Sequence, residues 1–183
     1  LRCLVGSEMC IRDRLDKMWS RVSVSDAVEA HSVPEPPLDV NSYYNASFAD
    51  ISQVKLSKGW EHIASWKPDN GAHTRKGFVN VPMLYSNTIN STFSFSFKGR
   101  AVGLFCVCGP FSGTLEYSVD NAPYKKLDTY TEWSKNLYIP WAYVLEAELD
   151  PEREHKLTVR ISKEKNKNSK GHECVIRLSL IHI

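Results

Sequence analysis

Aromatic and acidic residues lie close together between positions 128 and 143, and their side-chain types suit the binding of sugars. Asp128 and Glu132 precede Trp133, and Trp141 and Tyr143 follow shortly after. The flat faces of Trp and Tyr stack on the C–H faces of sugar rings, while carboxylates accept hydrogen bonds from sugar hydroxyls. We therefore predict that these five residues contribute to a ligand-binding surface.

A second stretch of the same character contains Trp66 and Arg75, with Asp69 and His73 between them. It is rich in Asn and Gly, which indicates a loop, and loops on a rigid scaffold commonly carry binding residues. We predict that Trp66 and Arg75 also contact ligand. The alternative for every Trp is a structural one, since a Trp in a small β-domain often packs in the core.

Catalytic motifs are missing from the sequence. It has no G-D-S and no G-x-S-x-G, and the segment Gly109–Gly113 places its serine one position too late for the latter. It also lacks D-x-x-H, H-E-x-x-H, a phosphate loop and a dinucleotide fingerprint. Glu146, Glu148 and Asp150 alternate along a late segment, but nothing selects two of them as a glycosidase pair. We expect no catalytic residue and no cofactor in this chain.

The cysteines do not form a recognisable metal site. Cys106 and Cys108 lie two residues apart on a probable strand, so they point to one face. Together with His172 and Cys174 they match no standard zinc spacing, and buried free thiols behave as small hydrophobic groups. We expect no bound metal.

Charge and hydropathy exclude other partners. The formal net charge is only +2, with basic residues spread along the chain, which disfavours nucleic acid. No apolar run approaches the roughly 18 to 20 residues that span a bilayer, so we expect no membrane partner. The lysines between 163 and 170 have the composition of a solvated loop. Contact with an anionic glycan or an acidic protein face is the alternative.

Periodicity predicts one helix followed by strands. Leu15, Met18, Trp19 and Val22 have helical spacing, which predicts an amphipathic helix from about Arg14 to Val24. Prolines at 34, 36 and 37 favour an extended linker. From Ile51 onward, alternating segments separated by Gly, Asn, Asp and Pro predict an all-β fold, an antiparallel β-sandwich or jelly roll. The clearest are Thr92–Lys98, Leu115–Val119 and Leu157–Ile161.

The two ends of the chain resemble translated sequencing-adapter sequence, as in metagenomic reads. The similarity covers Cys3–Asp13 and Leu178–Ile183, and such segments are set aside in fold reasoning. We therefore interpret the chain as a fragment. The predicted parts are an adapter-derived start at 1–13, a tail helix of an upstream domain at 14–31, a linker at 32–50, a sandwich at 51–177 and an adapter-derived end at 178–183.

Several segments, taken in order, resemble the C-terminal β-sandwich accessory module of SGNH/GDSL-type bacterial carbohydrate esterases. The similarity runs from about Leu38 to Arg177 and rests on the segments Trp66–Asp69, Gly71–Phe78, Ala101–Phe105 with Gly109 and Pro110, Glu116–Asp120, Asp128–Ser134, Leu137–Tyr143 and Arg160–Asn166.

The resemblance implies that the parent is an esterase of secreted or periplasmic bacterial origin that acts on polysaccharide esters, with its catalytic residues upstream of this chain. Two roles remain open for the module. It binds polysaccharide without catalysing a reaction, or it is a structural companion that packs on the esterase domain and shapes its cleft. The partners expected are therefore a glycan and the upstream esterase domain.

Overall fold

Contacts between residues divide the chain into two units, Leu1–Val40 and Asn41–Ile183. The structure is a computed structural model and describes the backbone of residues 2–22, 32, 39, 42–43 and 45–182. Side chains are described for residues 12–22, 32, 39, 42–43 and 45–177. The three prolines of the predicted linker, at 34, 36 and 37, lie outside these residues.

The first unit contains a single described helix, α1, which spans Arg2–Val22. It covers residues 14–22 of the predicted helix, whose last two residues, 23 and 24, lie outside the described part of the chain, and it also takes in residues predicted to derive from an adapter. Leu15, Met18 and Trp19, which define its apolar stripe, are exposed. Among the described residues, no helix has the length and apolar character needed to cross a membrane.

The second unit is built from twelve strands and two short 3₁₀ turns, at Ile51–Gln53 and Glu132–Ser134. The strands are β1 (Ala46–Ala49), β2 (Lys55–Leu56), β3 (Glu61–Trp66), β4 (His73–Thr74), β5 (Val81–Ser86), β6 (Thr92–Lys98), β7 (Ala101–Cys108), β8 (Thr114–Val119), β9 (Lys125–Asp128), β10 (Leu137–Glu146), β11 (Glu154–Ile161) and β12 (Cys174–His182).

The strands form two sheets, which confirms the predicted all-β sandwich. One sheet has seven strands in the order β3-β5-β12-β7-β10-β4, with β1 paired to β12. The other has five strands in the order β2-β6-β11-β8-β9. Neighbouring strands are antiparallel except for β4, which runs parallel to the first two residues of β10.

The main core lies between the two sheets. Phe93, Phe95 and Phe97 on β6 are buried, as their alternation with serines predicts, and Leu157 and Val159 lie opposite them on β11. The seven-stranded sheet supplies its own alternating residues to the same layer: Leu84, Val102, Leu104, Cys106, Cys108, Cys174 and Ile176. Burial of this apolar area is the main source of stability for the sandwich.

A smaller cluster covers the other face of the seven-stranded sheet. Trp66, Met83, Val107, Tyr138 and Val175 are buried there. They alternate along their strands with the residues of the main core, so they project from the opposite face. The segment that follows β3 supplies Ala72 and Phe78 as a partial cover. This face is therefore closed by a loop segment instead of a third sheet.

Two predicted boundaries differ in detail from the strands. β1 lies inside the range predicted as linker, because its backbone pairs with β12 from Ala46↔His182 to Ala49↔Ser179. The backbone of β12 in turn runs through the range predicted to derive from an adapter. Regular strand geometry does not reveal where a sequence comes from, so the adapter interpretation stays a prediction.

Candidate functional site

Loops from both sheets emerge together at one end of the sandwich, which we call the loop end. β12 begins at Cys174 opposite Ser86, the last residue of β5. The end of β7, at Cys108, lies beside the start of β10, and the end of β11 lies beside the start of β8. The loops 87–91, 109–113, 129–136 and 162–173 therefore share one end of the molecule.

The segment after β3 reaches the same place from the outer face of the sheet. β3 ends at Trp66, and the chain then runs to β4, where His73 pairs with Leu137 at the start of β10. The ring of Trp66 packs edge-on against Tyr138, with 5.3 Å between ring centroids. This packing positions Asp69 and Asn70 beside the loops of the loop end.

Two adjoining cavities, of ≈ 300 and ≈ 290 Å³, open between these loops, and we call them together the loop-end cleft. Both are lined by Asp69, Tyr85 and Glu173. The first is also lined by Asn87, Phe111, Gly171 and His172, and the second by Ile63, Ser65, Trp66 and Lys67. Aromatic rings, carboxylates and amides thus line a single depression.

Glu173 has the most perturbed carboxyl group of the cleft. Burial raises its pKa to about 7, the hydroxyl of Tyr138 opposes this by donating a hydrogen bond, and the nearby charge of Asp69 raises it further. The oxygen atoms Tyr138 Oη and Glu173 Oε2 are 2.7 Å apart. Near neutral pH, Glu173 is therefore divided between a carboxylate that accepts hydrogen bonds and an acid that donates one.

His172 leaves a polar atom of the cleft unsatisfied. Its Nδ1 is buried and has no hydrogen-bond partner among the described residues. A buried polar atom without a partner costs roughly 1 to 3 kcal/mol. Although this atom is buried, the His172 side chain itself lines the first cavity of the cleft.

Hydrogen bonds hold the loops of the cleft in place. Glu173 N donates to Phe111 O and Gly113 N donates to Glu173 O, each at 2.8 Å. The hydroxyl of Ser169 donates to Ser112 O at 2.6 Å. A Cβ added to Gly113 would lie 2.9 Å from the backbone of His172, so the two loops are in close contact. The cleft is therefore preformed, as ligand sites usually are.

Trp133 belongs to the same end, on the 3₁₀ turn between β9 and β10. Thr131 and Ser134 cap this turn reciprocally through backbone and side chain. Ser134 is buried, whereas the Trp133 side chain is 75% exposed. The exposed indole offers an apolar face on which a ligand can stack. Because its turn is already capped, the backbone loses little conformational entropy when a ligand binds.

The predicted residues Asp128 and Glu132 are tied to the loop before β12. Asn166 Nδ2 donates to Asp128 Oδ2 at 2.6 Å, and Asn168 Nδ2 donates to Glu132 Oε1 at 2.9 Å. These bonds link the Trp133 turn to the loop that carries His172 and so help to fix its position. The other oxygen of Asp128, Oδ1, accepts from Tyr130 N at 3.0 Å.

The other predicted residues are more scattered. Trp66 is buried in the smaller cluster on the outer face of the larger sheet, and it can contact a ligand only where it lines the second cavity of the cleft. Trp141 is 43% exposed and pairs with Cys106 in the middle of β7, away from the loops. Tyr143 is half-buried, with its hydroxyl 3.5 Å from Cys108 Sγ. Arg75 is exposed just after β4.

Sequence reasoning did not select Tyr85, Phe111 or Glu173. Tyr85 lies on the short strand β5, and its partial burial results from the pairing of β5 with β3 and β12. Glu173 occupies the position before β12, and its burial results from neighbours distant in sequence. The only local signal for Phe111 and Glu173 as site residues was that each lies two residues from a glycine, in a loop that adjoins a strand.

The three cysteines whose side chains are described, Cys106, Cys108 and Cys174, are free and buried in the main core. Burial raises the pKa of Cys108 to about 12 and the pKa values of Cys106 and Cys174 as well. Within the described part of the chain, no group of three His, Cys, Asp or Glu side chains has the arrangement needed to hold a metal ion.

Comparison with known proteins reveals similarity of structure only. No protein-family model and no curated protein sequence matches the chain. Among solved structures, a two-domain esterase active on acetylated mannans matches with a TM-score of 0.66 and 15% identity, over 96% of this chain and 46% of the esterase. Its structure co-crystallized with mannopentaose matches with a TM-score of 0.64 and 13% identity, over 96% and 45%.

A third match comes from outside the esterases. A Paenibacillus xanthan lyase matches with a TM-score of 0.50 and 14% identity, over 86% of this chain and 14% of the lyase. At these identities the matches show a shared β-sandwich fold. The chain spans less than half of the esterase that it matches, and the fold is one found within enzymes that act on carbohydrates.

Proposed function

We propose that the sandwich is a non-catalytic carbohydrate-binding domain whose glycan occupies the loop-end cleft and stacks on Trp133. The observation that carries the proposal is the lining of the cleft. Carboxylates, an imidazole and aromatic rings line one depression at the same end of the sandwich as the exposed Trp133. Neutral sugars need this combination of stacking surfaces and hydrogen-bond partners.

The proposal extends to the parent protein. The resemblance to modules of SGNH/GDSL esterases and the structural match to a two-domain esterase active on acetylated mannans support a parent that removes acyl groups from a polysaccharide. The sandwich would hold the polysaccharide near the esterase domain. In keeping with the same resemblance, the proposed location of such a parent is secreted or periplasmic.

Isothermal titration calorimetry of the chain against mannopentaose and a panel of other oligosaccharides tests the proposal. We expect at least one to bind, and Trp133→Ala and Tyr85→Ala each to weaken it by about tenfold, the equivalent of about 1.4 kcal/mol. Phe48→Ala is the matched control, since Phe48 is 61% exposed on β1. If no oligosaccharide binds, or if Trp133→Ala and Tyr85→Ala both bind as well as the wild type, the proposal is wrong.

A second role, as a structural companion of the esterase domain, is favoured by a different surface. Leu137, Trp141 and Val144 are exposed along β10, and among the described residues the outer edge of this strand is paired only at its first two residues, by β4. An apolar edge strand of this kind commonly packs against another domain. In that case Trp141→Ala would weaken association with the esterase domain and leave glycan affinity unchanged.

A further inference from the structure

A third cavity, of ≈ 350 Å³, adjoins the loop-end cleft and differs from it in charge. It shares Phe111 with the first cavity of the cleft. Its lining consists of Asn70, Gly71, Ala72, Pro110, Phe111, Lys135, Asn136 and Lys170. No carboxylate lines it, whereas the two cavities of the cleft share Asp69 and Glu173.

Both ammonium groups of this cavity are available to a ligand. Neither Lys135 nor Lys170 forms an ion pair with a carboxylate of the described residues. Two lysines on β9 do form such pairs: Lys126 with Glu164 at 2.6 Å and Lys125 with Glu146 at 2.5 Å. Two unpaired cations beside two carboxamides attract an anion and offer it hydrogen-bond donors.

The two lysines start from backbone positions that are firmly held. Lys170 N donates to Pro110 O at 2.9 Å, and the preceding Ser169 is buried. Lys170 Nζ also lies 6.0 Å from the centre of the Phe111 ring. Lys135 directly follows the capped 3₁₀ turn that carries Trp133. Both lysines therefore belong to the loop end, one next to the turn that carries Trp133 and the other in the loop that also carries His172.

From this arrangement we infer that the glycan bound at the loop end carries an anionic substituent, held between Lys135 and Lys170. The inference rests on the proposed carbohydrate-binding function and specifies its ligand class. The neutral part of the glycan lies against Asp69 and Glu173, and its acidic group lies on the far side of Phe111. A carboxylate on a uronic acid residue and a sulfate ester share the chemistry that this cavity recognises.

Calorimetry with the whole chain tests the inference against three kinds of probe: mannopentaose, an oligogalacturonate and a sulfated oligosaccharide of similar length. We expect at least one acidic probe to bind about tenfold more tightly than mannopentaose. The variant with both Lys135→Gln and Lys170→Gln should lose that advantage and keep its affinity for the neutral probe. Lys167→Gln is the control, as an exposed lysine of the same loop that does not line this cavity.

Salt dependence adds an independent readout. Affinity for the acidic probe should fall as sodium chloride rises from 50 to roughly 300 mM, and the double variant should lose most of this dependence. Tighter binding of the carboxylate probe than the sulfate probe assigns a uronic acid, and the reverse order assigns a sulfate ester.

The outcomes separate the two proposals. If mannopentaose binds as tightly as both acidic probes, or if the double variant binds the acidic probes as the wild type does, the inference is overturned and the proposed function stands. If no probe and no other oligosaccharide binds, both are overturned.

Discussion

Glu173 illustrates how one side chain couples the candidate site to the stability of the sandwich. Its carboxyl group is held between the Tyr138 hydroxyl and the cavities that it lines, and burial raises its pKa from 4.5 to about 7. Burial of this ionisable group therefore lowers the stability of the folded sandwich when the group is charged. Such groups are more typical of binding and catalytic sites than of structural positions.

The raised pKa predicts a specific dependence of stability on pH. Between pH 4.5 and about 7 the folded state holds a proton on Glu173 that the unfolded chain has released. Stability should therefore fall as pH rises through this range, by roughly 3 kcal/mol at most, and level off above it. Glu173→Gln removes the titrating group, so its unfolding free energy should decline less over the same range.

Urea denaturation of both proteins at pH 4.5, 6 and 8 measures this difference. Glu154→Gln serves as the control, because Glu154 is an exposed carboxyl on β11. The wild type and Glu173→Gln should differ in slope between pH 4.5 and 7, while Glu154→Gln should follow the wild type. Parallel profiles for the wild type and Glu173→Gln would show that Glu173 titrates normally.

At the scale of elements, the contact between β7 and β10 controls how the exposed edge of the larger sheet is held. Gly103 on β7 lies opposite Val144, where the pairing of β10 shifts register. A Cβ at this position would be 2.3 Å from Tyr143 O, which is a backbone atom and cannot move aside alone. β10 can therefore approach β7 closely only because residue 103 has no side chain.

Gly103→Ala should therefore destabilise the sandwich by roughly 1 to 3 kcal/mol and lower Tm by several degrees. Amides of β10 should also exchange faster with solvent. Gly77→Ala is the comparison, since a Cβ there meets no atom within 4 Å and only its positive φ carries a penalty. It should leave exchange in β10 unchanged. If the Gly103→Ala variant has the same Tm and the same amide exchange in β10 as the wild type, this account of the contact is wrong.

Strand faces were readable from the sequence, but strand partners were not. Alternation placed Phe93, Phe95 and Phe97 in the core, and the structure confirms them, because a buried face needs only a period of two. The pairing of β12 between β5 and β7 depends on residues far apart in the chain, for which a local pattern carries no information. β1 was not predicted, because its four residues are mostly exposed and its pairing partner β12 is far away in the chain.

The tryptophans show the same limit at the candidate site. Trp66 and Trp133 occur in similar polar, loop-like surroundings, yet one is buried against Tyr138 and the other is exposed on a capped turn. What separates them is the segment that covers the outer face of the larger sheet, a tertiary feature. The cleft itself combines residues from four parts of the chain, so only some of its residues could be proposed from sequence.

For the whole molecule, a rigid two-sheet core supports loops that converge at one end. The core supplies stability, and the loop end carries the cleft with Asp69 and Glu173, the cavity with Lys135 and Lys170, and the exposed Trp133. Such a division between scaffold and loops is common in β-sandwiches that bind ligands. The matching esterase structure shows that this sandwich fold occurs within a larger carbohydrate-active chain.

The central claim is that a glycan binds at the loop end, and a titration followed by ¹H–¹⁵N correlation spectra tests it most directly. The labelled chain is titrated with mannopentaose, or with whichever oligosaccharide binds most tightly. We predict that the largest shifts fall in residues 69–72, 109–113, 131–136 and 170–173, and in the indole N–H of Trp133. Shifts centred on Trp141 and Val144, or no shifts with any oligosaccharide, would contradict it.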